Sequence, residues 1–237
     1  MLFPLLGLYV FLKCLDLAQG DLSYTLPEEM KKGAVIGNIV KDLGLERGAL
    51  SQRRARVDTE GTDERYCELN LKNGELFVAG RIDREGLCAK RSSCVLKQEL
   101  VLENPLELRR VQLHIQDIND NSPLFNDGTV ELEISETTDR GARFVLEEAH
   151  DADVGQNSIQ QYSLNKNDNF VLVITGNTIE LVLDKELDRE KQQEIDLILT
   201  AFDGGSPQRS GTVAIHVTVL DANDNAPVVC IWLCPWC

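Results

Sequence analysis

Three acidic words occur twice along this chain, in the same order and about 105 residues apart, a repetition that limits the fold more than any other feature. The first copy reads Leu26-Pro27-Glu28, then Ile82-Asp83-Arg84-Glu85, then Asp117-Ile118-Asn119-Asp120-Asn121 followed by Pro123. The second reads Ile134-Ser135-Glu136, then Leu187-Asp188-Arg189-Glu190, then Asp221-Ala222-Asn223-Asp224-Asn225 followed by Pro227. Matching positions lie 108, 105 and 104 residues apart. Gly33 and Gly141 come after their glutamates at the same five-residue step. Chance does not place three words at one offset, so these are tandem repeats.

Between the words the chain alternates with the period of a half-buried strand. Val111, Leu113 and Ile115 alternate with polar residues up to Asp117, and Val213, Ile215, Val217 and Val219 do so up to Asp221. Val130-Leu132-Ile134 and Ile195-Leu197-Leu199 keep the same period. Lys72-Asn73-Gly74 and Gly204-Gly205-Ser206-Pro207 are turn signals. No long stretch has a helical period. Many short strands punctuated by turns predict an all-β chain of two β-sandwiches. His114 and His216 fall on polar faces and read as solvated strand residues rather than ligands.

With 237 residues the chain can hold two domains, each with its own core. Its 39 acidic residues against 24 basic ones give a formal charge of −15. No basic stripe exists to neutralise phosphates, which excludes nucleic acid as a partner. Met1 to Leu12 is an apolar run too short for a bilayer, which takes roughly 20 residues; Lys13 and Asp16 keep it from extending further. Ala18-Gln19-Gly20 supplies small residues for a peptidase, so residues 1–20 are expected to be a secretory signal, although a basic N-terminal region is missing. Seven cysteines in an exported chain point to an oxidising compartment. Cys88 and Cys94 bracket a short polar loop and are expected to pair. Cys67 stands alone, and Cys230, Cys234 and Cys237 crowd the last eight residues.

The acids have a chemistry of their own. Calcium takes six to eight oxygen ligands in flexible geometry, and Asp-x-Asn-Asp-Asn places oxygen-bearing side chains at four of five positions. Alone, such a word is also an ordinary turn. Its recurrence at a strand end in both repeats, each time after Asp-Arg-Glu, favours the metal.

Pro-Glu, Asp-Arg-Glu, Asp-x-Asn-Asp-Asn, the Asp151-Ala152-Asp153 pair and Asp203 in Ala-Phe-Asp-Gly-Gly-Ser-Pro together resemble the cadherin calcium signature. Tyr24 to Gly33, Ile82 to Glu85 with Cys88 and Cys94, Glu103-Asn104-Pro105-Leu106 and Asp117 to Pro123 look like the first repeat of a clustered protocadherin, of the α type. The resemblance covers residues 21 to about 229. It implies Greek-key repeats of about seven strands each: residues 21–123 and 124–229, ahead of a tail at 230–237 that resembles no cadherin strand. It also implies about three calcium ions at the junction between repeats. Their ligands would be Glu28, Asp83 and Glu85 from the first sandwich, then Asp117, Asn119, Asp120 and Asn121 from the linker. Asp151, Asp153 and Asp203 would come from the second sandwich, with carbonyls from Ile118 and Asn157. Three ions need roughly 21 oxygens, so Glu28, Glu85, Asp120 and Asp153 are candidates to bridge two ions. Glu136, Asp188, Glu190, Asp221, Asn223, Asp224 and Asn225 match the lower half of a second, incomplete calcium site. Arg84 and Arg189 would brace the carboxylates.

What the resemblance implies about function is calcium-dependent homophilic adhesion, with calcium stiffening the junction. The partner would be another copy in trans, or a related protocadherin, over the first four repeats; no small-molecule substrate is implied. The full-length parent would sit on the cell surface, and this chain, expected to be truncated or to end in alternative-exon sequence, would be secreted. The alternative is a secreted calcium-binding fragment that is non-adhesive or acts as a decoy. Two departures narrow the family's modes. Ser51 to Asp58 contains no Arg-Gly-Asp, and no Trp near residue 21 could anchor an exchanged strand. An enzyme would need a single cleft, whereas His114, His150 and His216 lie apart and the acids recur at domain ends.

Overall fold

The computed structural model describes residues 21–46, 48–61 and 64–223, and these divide into two compact units, one ending at Ile118 and the other starting at Asn119. The expected leader, the cysteine-bearing tail, Asp224 and Asn225 lie outside the described residues.

The first unit contains β1 (Leu22–Pro27), β2 (Val35–Asn38), β3 (Arg56–Thr59), β4 (Cys67–Leu69), β5 (Glu75–Val78), β6 (Cys94–Leu102) and β7 (Glu107–Gln116). They form two sheets, ordered β1-β7-β6-β3 and β2-β5-β4. The alternating residues Val111, Leu113 and Ile115 are buried between them with Leu26, Leu76 and Leu100. The second unit repeats the plan with β8 (Thr129–Ser135), β9 (Arg143–Leu146), β10 (Ile159–Leu164), β11 (Phe170–Thr175), β12 (Thr178–Leu183), β13 (Glu194–Asp203) and β14 (Ser210–Leu220). Its sheets are β10-β13-β14-β8 and β11-β12-β9, closed over Ile195, Leu197, Leu199, Val213, Ile215, Val217 and Val219. Seven strands in each unit and few helical residues make this an all-β chain of tandem sandwiches.

The first unit also has three single-turn helices that the sequence pattern does not reveal: α1 (Ile39–Asp42), α2 (Ala49–Gln52) and α3 (Arg84–Cys88). Four or five residues are too few to display a period of 3.6.

Two parallel pairings decide where the acidic words meet. β1 runs parallel to β7, ending with Pro27 beside Gln116; β8 runs parallel to β14, ending with Ser135 beside Leu220. Glu28 and Asp117, and likewise Glu136 and Asp221, therefore leave their sheets side by side. β13 is antiparallel to β14, which carries Asp203 to the opposite end of the second unit. There Leu124 pairs with His150, holding the chain after Asn121 against the segment before Asp151.

Candidate metal centre

At the end of the first unit, Glu28 is only 2 % exposed, and both carboxylate oxygens accept backbone hydrogen bonds. Oε1 accepts from the Ile118 amide at 3.0 Å and Oε2 from the Arg84 amide at 2.7 Å. One side chain thus ties two acidic words together. Burial pushes the Glu28 carboxyl up to about 7; the two amide bonds pull the other way and neighbouring Glu85 pushes it up again. Asp83 caps α3, its Oδ1 accepting from the Gly86 amide at 2.9 Å. Arg84 is 1 % exposed, and its Nη1 lies 3.2 Å from both Glu85 Oε1 and Asp117 Oδ1. Oxygens of Glu28, Glu85 and Asp117 fall within 4.8 Å of one another. An all-carboxylate set of this kind suits a hard cation such as calcium rather than one that prefers nitrogen or sulfur.

In the second unit, Asp151, Asp153 and Asp203 are all buried. Asp203 accepts through Oδ1 from the amides of Gly205 at 3.2 Å and Arg209 at 2.8 Å, whereas its Oδ2 is buried with no hydrogen-bond partner. Asn119 Oδ1 is in the same condition, while its Nδ2 donates to the Pro207 carbonyl at 2.7 Å. Buried polar oxygens without donors are costly, and a cation satisfies them, so the residues present fit calcium. A Cβ on Gly205 would run into the Asn119 side chain, so that close approach requires glycine. Asn121 donates from Nδ2 to Asp120 Oδ1 and Asp153 Oδ1, each at 2.7 Å, and from its amide to Asp153 Oδ2 at 3.1 Å. The Asp153 amide donates to Asp151 Oδ1 at 3.1 Å. Asn157 ends a 3₁₀ turn, Gly155–Asn157. Sequence reasoning missed Arg209, which donates from Nη1 to the Asp120 carbonyl at 2.9 Å. Its only signal was a basic residue six positions after Asp203.

The end of the second unit copies the glutamate clamp. Glu136 accepts from the Arg189 amide at 3.0 Å and the Ala222 amide at 2.8 Å. Its surroundings differ. Asp188 is held by Lys191, 2.5 Å from Nζ, and Glu190, Asp221 and Asn223 are exposed. Among the described residues no three carboxylates gather there.

Residues 21–104 match the family model described as "Cadherin-like", and residues 130–220 match that of the "Cadherin domain". The chain belongs to the cadherin superfamily. It is similar to human protocadherin gamma-C3, 49 % identical over 227 residues, covering 94 % of this chain and 24 % of that protein. Human protocadherin gamma-A5 is 47 % identical over 214 residues, covering 88 % and 23 %. The chain therefore spans about a quarter of the length of these relatives. A solved structure of mouse clustered protocadherin gamma-C3, EC1-3, superposes with a TM-score of 0.83 at 50 % identity, covering 87 % of this chain and 67 % of that one. Its likeness is to the first two repeats of a clustered protocadherin. The γ-type relatives correct the α-type likeness read from the first repeat. The relatives are protocadherins, which are not enzymes.

Proposed function

We propose that this cadherin chain supplies two repeats of an extracellular, calcium-dependent adhesion ectodomain that recognises a second copy of itself or a related protocadherin. The observation that carries the reading is the oxygen set: buried Glu28 gathered within 4.8 Å of half-buried Glu85 and Asp117, and Asp203 with an inaccessible oxygen that no donor reaches. Calcium, about three ions by the family pattern, would supply positive charge and coordination to these oxygens. Glu28, Asp83 and Glu85 would hold it from the first repeat, Asp117, Asn119, Asp120 and Asn121 from the linker, and Asp151, Asp153 and Asp203 from the second repeat, with the Ile118 and Asn157 carbonyls. Ligands drawn from both repeats make metal binding and interdomain order one equilibrium. Asn121 and Arg209 orient Asp120 and Asp153, and Arg84 holds Glu85 and Asp117. Among the described residues no helix is long and apolar enough to cross a membrane.

Calcium titration followed by limited proteolysis across residues 117–125 tests the metal. Protection is expected to develop at roughly 0.1–1 mM, the range of extracellular modules, and to be weakened by Asp120→Ala or Asp153→Ala; equal protection in variant and wild type would overturn the assignment. By itself the chain is expected to self-associate weakly, since recognition in the family spans four repeats and the entropy lost on association does not shrink with the interface. Sedimentation equilibrium with and without calcium checks this. A tight calcium-dependent dimer would show that two repeats suffice. Calcium binding with no self-association at any accessible concentration would favour the non-adhesive fragment.

A further inference from the structure

We propose that Arg84 is a positioning residue through which the Cys88–Cys94 loop sets the arrangement of the first repeat's carboxylates, so that calcium binding there depends on that disulfide. The inference rests on the calcium reading above and concerns the first repeat alone. A disulfide joins Cys88 to Cys94, six residues on, with Cα atoms 5.6 Å apart. Inside the closed loop, the Ala89 carbonyl accepts from Arg84 Nη1 at 3.4 Å and the Arg91 carbonyl accepts from Nη2. The same guanidinium bridges Glu85 and Asp117. Nη1 of this buried fork is therefore shared between the loop and two of the candidate ligands, while Nη2 is held by the loop alone. Ala89 adopts φ 50° and ψ −138°, a positive-φ conformation disfavoured for alanine, so an opened loop would relax and withdraw its carbonyl. A buried guanidinium stripped of two acceptors cannot keep its place, and Glu85 and Asp117 then lose the rigid donor that spaces them.

The second repeat is an internal control. It carries the same Asp-Arg-Glu word with no cysteine after it until the tail. There the Arg189 side chain is 36 % exposed, with Nη1 3.4 Å from Asp221. No carboxylate triad forms among the described residues. Among the described residues, the loop-held arginine accompanies the repeat end at which Glu28, Glu85 and Asp117 gather.

The test is equilibrium calcium binding to the whole chain as wild type, as the Cys88→Ser/Cys94→Ser variant, as Arg84→Lys, and as all three substitutions together. Opening the loop is expected to weaken calcium binding at the first repeat about tenfold, the size of effect seen for outer-shell partners. Arg84→Lys should do the same, and the combination should be no weaker than either alone. Wild-type affinity in the loop-open variant, or losses that add, would overturn the proposal while leaving the calcium reading intact. Failure of the wild type to bind calcium would overturn that reading itself. Should Arg84→Lys not fold, dithiothreitol gives the second measurement. It is expected to weaken calcium binding by wild type but not by the loop-open variant, and equal responses would overturn the proposal.

Discussion

At the end of the first repeat Arg84 is buried among Glu85, Asp117 and two loop carbonyls, and Glu28 beside it is buried as well. At the end of the second repeat Arg189 reaches one exposed aspartate, and Asp188 is held by a lysine. Yet Glu28 and Glu136 accept the same two backbone amides, one from each of the other acidic words. The shared words therefore set the backbone register, which the parallel β1–β7 and β8–β14 pairings enforce. What surrounds the words decides whether charge is concentrated or left in solvent. Concentrated carboxylates repel in the absence of metal and are the ones a cation stabilises most.

The largest test of this contrast is to remove each arginine. Arg84→Leu leaves Glu85 and Asp117 beside Glu28 without their cation, and breaking a buried charge network in this way costs about 3–5 kcal/mol. Arg189→Leu breaks an exposed pair worth about 0–1 kcal/mol. Chemical denaturation of the calcium-free chain, with a probe in each repeat, reads both. Comparable losses would show that the two ends are energetically alike despite their geometry.

A smaller effect should appear with pH. The Glu28 carboxyl is raised from 4.5 to about 7 by burial, so between those values the folded state holds the proton more tightly than the unfolded one. Stability of the calcium-free first repeat is therefore expected to fall as pH rises through that window and to level off above it. Calcium favours the ionised carboxylate, which should flatten the slope and release protons on binding near pH 6. Glu28→Gln should remove the slope. Denaturation midpoints that rise with pH across the window in the metal-free wild type would reverse the assigned sign.

Much of this arrangement was legible in the sequence, for reasons particular to certain residues. The long central strands β7 and β14 alternate cleanly because one face is buried and the other wet, and each ends one residue before its Asp word. Short edge strands such as β9 carry too few residues for a period to register. The helical turn α3 was hidden inside a metal word: Asp83 reads as a ligand, yet its Oδ1 also caps Arg84–Cys88, a dual use that spacing cannot reveal. Arg209 was invisible for a different reason. Its bond to the Asp120 carbonyl joins positions 89 residues apart, and only the folded chain brings them together. Gln98 was missed because a buried glutamine in β6 breaks the apolar pattern; its Oε1 accepts from Thr59 and from the Cys67 thiol.

The smallest effect sharpens the contrast from the exposed side. His216 on β14 faces Asp196 on β13 and Glu131 on β8, its register partners. A hydrogen bond from the imidazole to Asp196, with Glu131 and Glu194 nearby, holds the His216 pKa above its ordinary value. Being raised, it contributes stability that is present below the unfolded histidine value and is lost as pH rises through the folded one. The pair is open to solvent, so screening should erase most of it at about 1 M salt, where the Debye length is near 3 Å. Following the imidazole resonances of His216 by NMR against pH, the midpoint should drop toward the ordinary histidine value in Asp196→Asn and in high salt. Stability should barely change, because the pair is exposed to solvent and such surface pairs contribute little. If Asp196→Asn instead destabilised the second repeat as strongly as Arg84→Leu does the first, exposure would not be what separates the two repeats.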